Sequence, residues 1–197
     1  MHNENFQVKS HLLVFIIFLA CGLLAYLHTL NYEFAFDDFH NIVNNSSLGM
    51  EQLDASSFRD ALNGPTKRPL AYLTFALNHY LSGSNTWSYR LVNIVLHVLN
   101  AMLVYTFALM TLTLLHDRTK KNFFPPPGTK FPFLSQHQMT AFFAALIWLL
   151  HPIQIQAVTY IVQRMVSLCT LFYLSAMCLY IYGRQTPIKR ERLLPLH

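Results

Sequence analysis

Asp37 and Asp38 stand side by side in the stretch YEFAFDDFHNIVNN (residues 32–45), wedged between Phe36 and Phe39. After Glu33 they are its only acidic groups, and the stretch follows a long apolar run. Two carboxylates in aromatic company beside a membrane are costly, because burial disfavours the ionised form and each repels the other. A pair kept at that cost is a site hypothesis, weighed against a solvated turn or a helix cap. An ionised carboxylate so placed could take a proton from an attacking hydroxyl or amide as a general base.

Four further residues could work with that base: Arg68, Arg90, His151 and Arg164. Arginine holds phosphate bidentately and offsets the charge of a phosphate leaving group. A carboxylate base, a phosphate-binding arginine and a membrane groove are what transfer of a sugar from a lipid phosphate needs. A divalent metal on Asp37, Asp38 and His151 is an alternative, since carboxylates suit magnesium or manganese, although no spacing demands one. Each residue also has a plainer reading. The arginines could anchor helix ends at lipid headgroups, and His151 before Pro152 could end a helix at the negative pole of its dipole. The sequence shows no P-loop, no GxGxxG, no zinc motif and no nucleophile elbow.

The elements that must position these groups are membrane helices. Of 197 residues, 53% are hydrophobic and only 12% charged, about half the charged share of a soluble domain. A net charge of +5 could suggest nucleic acid, but the basic residues flank apolar runs and form no stripe with aromatics, so no nucleic-acid partner is expected. The three cysteines (Cys21, Cys169, Cys178) all lie in apolar runs, which argues against a disulfide framework.

The spacing predicts four spans at about 12–30, 91–115, 136–150 and 165–182, a long outer loop at 31–90 and a cytoplasmic loop at 116–135. The first run outlasts a signal-peptide core of about 7–15 residues, although Ala20-Cys21-Gly22 faintly resembles a lipoprotein cleavage site. Within the outer loop, a short amphipathic piece (50–62) ends at Asn63-Gly64-Pro65. The apolar segment 69–81 is too short to span and suits an interfacial or re-entrant helix. Ser135 with Gln138 forms a capping-box signature for the third helix, and His151-Pro152 breaks it. On the second span Asn93, His97 and Asn100 share one face; it could bind a ligand, line a transport path or hydrogen-bond a neighbouring helix.

With a cytoplasmic N-terminus, nine Lys/Arg fall inside and five (Arg59, Lys67, Arg68, Arg90, Arg164) outside. The positive-inside rule then puts Asp37-Asp38 and the 151–164 segment on the same, non-cytoplasmic side. The short loops suggest a bacterial inner membrane, with the site on its periplasmic face.

Four segments together resemble one family: FAFDDFHNIVNN (34–45), RPLAYLTFALNHYLSG (68–83), YRLVNIVLHVLNA (89–101) and HPIQIQAVTYIVQR (151–164). In this order they resemble the N-terminal membrane part of the transmembrane-and-tetratricopeptide-repeat (TMTC-like) proteins, which are similar to protein O-mannosyltransferases of the GT-C superfamily. The resemblance implies an all-α, multi-pass membrane domain over 1–197. It implies a glycosyltransferase that moves a sugar from a polyprenyl-phosphate donor to an acceptor, protein or glycan, on the non-cytoplasmic face. It places the catalytic acid on Asp37 or Asp38 and donor-phosphate binding on Arg68, His151 and Arg164. Arg90 stands where such proteins often carry histidine, and Gln156 where many carry glutamate. GT-C enzymes have more than four spans, so the resemblance implies an N-terminal portion that a longer chain or a membrane-protein partner would complete. The rival expectation is a non-catalytic module that packs on other subunits through its polar helix faces.

Overall fold

The computed structural model describes residues 2–63, 67–119 and 134–185, with their side chains apart from those of 2–7, 118 and 185. Among these residues the regular structure is all helical: α1 (His2–Tyr26), α2 (Ala55–Leu62), α3 (Pro69–Ser82), α4 (Thr86–Thr119), α5 (Gln136–Leu150), α6 (Ile155–Thr159) and α7 (Arg164–Gln185). The expected all-α fold is the observed one. Gly64 and Pro65, the basic segment 120–133 and the tail beyond 185 lie outside the described residues, and with them much of the charge on which the orientation rests.

Local chemistry explains where the helices start and stop. Asp54 caps α2, its Oδ1 accepting from Ser57 N at 2.9 Å and its Oδ2 from Ser56 Oγ at 2.7 Å. Asn63 closes the same helix. Pro69 opens α3 at a position where the missing N–H costs nothing. Gly83 follows at φ +59°, a turn that a side chain would strain. The capping box of α5 forms as expected: Gln138 N donates to Ser135 Oγ, and Ser135 N donates to Gln138 Oε1 at 2.8 Å.

Among the described residues three stretches are long and apolar enough to cross a membrane: Val8–Thr29, Thr86–Asp117 and Ile161–Arg184. Their outward faces carry exposed apolar side chains such as Leu24, Val95, Phe172 and Leu179, as lipid-facing helices require. These helices fit an integral membrane protein. The third expected span differs. At about 1.5 Å per residue, the 15 residues of α5 reach only about 22 Å, short of a hydrocarbon core of about 30 Å. A fourth crossing exists only if α5 continues through Pro152–Thr159 across a 51° bend. The second span also begins earlier than expected, at Thr86, so Arg90 lies inside a helix rather than in a loop.

α4 is the central post, packed along α1, α5 and α7. One apolar core lies among Val14, Phe18, Val98, Tyr105, Ala141 and Leu149. A second sits under the outer loop, where Ile42, Leu48, Tyr72, Phe75 and Ile161 meet. The segment 69–81, read as interfacial or re-entrant, is a helix that buries Tyr72, Phe75 and Ala76 in that second core. Gly22 marks the closest approach of α1 to α4: a Cβ there would stand 2.8 Å from Val98 Cγ2. Its place in the sequence is therefore set by helix packing.

Two outcomes follow from these contacts. Gly22→Leu should separate α1 from α4 and lower stability by about 1–3 kcal/mol, read as a drop in thermal midpoint in lipid nanodiscs. The hydrogen bonds from Ser57 and then Ser56 hold the exposed Asp54 carboxyl down from 3.8 to about 2. A carboxyl depressed by folding stabilises the folded form above its unfolded pKa, and that contribution disappears as pH falls through the folded value. Amide-exchange protection of Ser57 should thus decline between pH 3.8 and about 2. In Asp54→Ala it should be low at every pH.

Candidate functional site

The polar groups gather around one structural fault. Pro152 cannot continue α5, and between residues 149 and 163 the chain passes through a helix end, a one-turn helix and two tight turns. Such a segment frees backbone carbonyls that lipid cannot satisfy. The polar face of α4 satisfies them. His97 Nε2 lies 2.9 Å from Leu149 O. Asn93 Nδ2 donates to Val158 O at 3.3 Å and to Tyr160 O at 3.1 Å. Arg90 Nε donates to Thr159 O at 3.1 Å, and Asn100 Nδ2 to Ser167 O at 2.9 Å. Of the readings open for Asn93, His97 and Asn100, helix-to-helix hydrogen bonding is the one this geometry provides.

Arg164 ties the same region together. It is fully buried at the start of α7, and every guanidinium nitrogen is used. Nε donates to Asn93 Oδ1 at 3.0 Å, Nη1 to Thr74 O at 3.1 Å, and Nη2 to Asn78 Oδ1 and Tyr89 O, both at 2.9 Å. The cation also lies 4.6 Å from the centre of the Phe75 ring. A helix N-terminus repels a cation, so this dense set of acceptors is what holds it there. The expected role of Arg164 in binding lipid phosphate is not what this geometry offers, because its donors are spent on α3 and α4.

The two aspartates separate. Asp38 is fully buried; its Oδ1 accepts from Val162 N at 2.8 Å and its Oδ2 from Ala35 N at 3.2 Å. It pins the outer loop onto the faulted segment. Asp37 is exposed and lines a cavity of ≈ 280 Å³ with Phe36, Gln156, Tyr160, Val162 and Gln163. Phe36, immediately before it, has φ +49° and an exposed ring 5.9 Å from that of Tyr160. A left-handed conformation at a bulky residue costs on the order of 1–3 kcal/mol and tends to persist where function holds it. Asn41 Nδ2 donates to Asp37 O at 2.9 Å, while its Oδ1 accepts from Tyr72 Oη at 3.1 Å, so the loop is fixed from both sides.

Arg68 is the arginine with donors to spare. It is exposed, and among the described residues it donates only to Met165 Sδ, at 3.1 Å. It borders a groove of ≈ 460 Å³ whose other walls are apolar, among them Leu70, Met165, Val166 and Phe172. The Asp37 cavity and this groove flank the start of α7: residues 162 and 163 line one, 165 and 166 the other. His151 is exposed at the break after α5, with Nδ1 accepting from Ile153 N at 3.2 Å, and lines neither opening. Among the described residues no three His, Cys, Asp or Glu side chains come together as a metal-ligand set, and both Asp38 oxygens already serve backbone amides. The grouping of Asp37, Asp38 and His151 around a divalent ion does not fit this arrangement.

Sequence reasoning placed Arg90 among the groups that could work with the base, or at a headgroup as an anchor, and in the structure it is a clamp. Besides Thr159 O, it donates to Leu30 O at 3.4 Å, to Tyr32 O and to Glu33 O at 2.6 Å, holding the strand of chain that leads to Asp37. The signal was present: Arg90 lies three residues before Asn93 and extends the face formed by Asn93, His97 and Asn100. Gln163 and Tyr160 beside Asp37 carried no comparable signal.

Removing Asp38 should therefore cost stability in a way that removing Asp37 does not. Asp38→Ala strands the buried Val162 N–H and should cost about 1–3 kcal/mol. Asp37→Ala should stay within about 0.5 kcal/mol. Arg164→Met, which leaves a set of acceptors unpaired, should cost about 3–5 kcal/mol. Thermal unfolding of the three variants in nanodiscs tests the ranking, and equal midpoints for the two aspartate variants would overturn it.

Comparison with known proteins agrees with the sequence blocks. The chain is 32% identical over 171 residues to the protein O-mannosyl-transferase TMTC2 of Mus musculus, covering 82% of this chain and 18% of that protein. It is 31% identical over 167 residues to the protein O-mannosyl-transferase TMTC1 of Homo sapiens (80% and 16%). It is 26% identical over 181 residues to the protein O-mannosyl-transferase Tmtc3 of Drosophila melanogaster (87% and 19%). The chain thus spans less than a fifth of the length of these relatives. No protein-family model and no solved structure matches it.

Proposed function

We propose, on the premise that the curated relatives of this chain are TMTC-family protein O-mannosyl-transferases, that it forms the base-and-phosphate part of a GT-C-type glycosyltransferase site. The observation that carries the reading is the division of labour between the two aspartates: Asp38 is sealed and bonded to backbone, while Asp37 is presented beside a cavity. Asp37 takes the proton from an acceptor hydroxyl as its oxygen attacks C1 of the donor sugar. The C1–O bond to phosphate breaks, and the polyprenyl phosphate leaves with the electron pair. Arg68 holds that phosphate, and the apolar groove beside it takes the first units of the polyprenyl chain. Asp38, Arg90 and Arg164 position the loop and touch neither reactant.

The site is assigned to the non-cytoplasmic face by the positive-inside count. The choice of membrane stays with the chemistry: it must carry a polyprenyl- or dolichyl-phosphate sugar. The sequence leans to a bacterial inner membrane, whereas the relatives named above come from animals. The rival reading, a module that packs on partners through its polar helix faces, loses its main support, since Arg90, Asn93, His97 and Asn100 bond within the chain.

Binding and transfer of a short polyprenyl-phosphate mannose by the chain in nanodiscs tests this reading. Arg68→Ala should weaken donor binding by about tenfold, the equivalent of one lost charge-assisted hydrogen bond. Asp37→Asn should leave donor binding intact and lower transfer by about 10²- to 10⁴-fold. Full transfer by Asp37→Asn removes the base assignment, and a folded wild-type chain that binds no donor removes the whole proposal.

A further inference from the structure

On the far side of the acidic loop from Asp37 lies a second cavity, ≈ 180 Å³ and more enclosed, between the loop and the α3–α4 corner. Its walls combine two aromatic rings, Phe34 and Tyr89, with Asn45, Ser46, His79 and Ser84. Phe34 and Tyr89 stand edge to face with centres 6.0 Å apart, so one ring presents its face where the other presents its edge. Among the described residues no Asp, Glu, Lys or Arg lines the space.

Tyr89 makes this more than a packing gap. The residue is 1% exposed and lines the cavity, and its hydroxyl makes no hydrogen bond among the described residues, so it is free to bond a ligand. The rest of Tyr89 is held firmly: its carbonyl accepts from Arg164, and its ring packs on Phe34 and Phe75. The imidazole of His79 and the hydroxyls of Ser46 and Ser84 likewise have no side-chain bond within the described chain.

We propose that this cavity binds one neutral pyranose unit, at a place separate from the Asp37 cavity. The volume equals that of about six waters at about 30 Å³ each, roughly the size of one sugar ring with its hydroxyls. Phe34 and Tyr89 offer apolar surface for the C–H face of the ring. Tyr89, Ser46 and Ser84 supply hydroxyls that both donate and accept, as sugar hydroxyls require, whereas the Asn45 side chain is taken up by Asn41 and Ser47. The absence of lysine, arginine and carboxylates from the lining disfavours a phosphate or a charged ligand. The inference does not depend on the transfer reaction, since it uses none of the groups assigned to it.

Saturation-transfer NMR tests this with the full chain in nanodiscs made of lipids without sugar headgroups, and D-mannose, D-glucose and D-galactose as probes. At least one hexose should bind, with a Kd on the order of 1 mM, as suits so small a ligand. Tyr89→Phe removes only the hydroxyl and should weaken binding about 3- to 10-fold with no change in thermal midpoint. Ser46→Phe and Ser84→Phe, at exposed positions, should block the space and abolish it. Asp37→Asn should bind hexose like the wild type, so failure of the transfer reading and failure of this one can be told apart. Absence of binding by any hexose, or binding that ignores Tyr89→Phe and both serine variants, overturns the proposal.

Discussion

A backbone that breaks its helix in the interior of a protein must find partners there for the carbonyls it frees. That constraint shapes this chain. The break at His151-Pro152 is followed by a dozen residues of short turns, and α4 answers with a row of side chains: Arg90 and Asn93 meet carbonyls of the broken segment, His97 the carbonyl of Leu149 at the end of α5, and Asn100 that of Ser167 in α7. Arg164 locks the arrangement from the other side, joining α7 to α3 and α4 through Thr74, Asn78, Tyr89 and Asn93. Most of the cost of burying these polar groups is offset by their bonds to one another and to backbone, although Asn100 Oδ1 is left without a partner among the described residues.

The outer loop depends on the same frame. Asp38 reaches the faulted segment at Val162, and Arg90 grips the chain just before it, at Tyr32 and Glu33. Between these two anchors the backbone turns through the left-handed Phe36 and leaves Asp37 outside. One aspartate thus spends its charge on structure so that its neighbour keeps its own available. The two neighbouring carboxylates therefore differ in setting: Asp38 is buried on backbone amides and Asp37 is exposed beside a cavity.

The separation of roles extends to the arginines. Arg164 and Arg90 are internal ties, and Arg68, at the rim of an apolar groove, keeps open donors. A charge at the edge of an apolar groove suits a ligand that is itself part lipid and part anion.

Much of this fold was legible in the sequence. The apolar runs, the Ser135–Gln138 capping box and the break at Pro152 are local effects of chain chemistry, and each appears close to where it was expected. Composition alone was enough to announce membrane helices. The site was legible as residue types: carboxylates, arginines and a polar helix face. Their assignment was not, because a carboxylate is a base or a tie according to whether a distant amide reaches it, and Asp38 meets Val162 across 124 residues of chain. Arg68 and Arg164 look alike in one dimension and differ by burial in three. The sequence by itself determined which groups the protein holds in its membrane helices and loops. Tertiary packing decided which of them were used up satisfying backbone and which were left to meet a ligand.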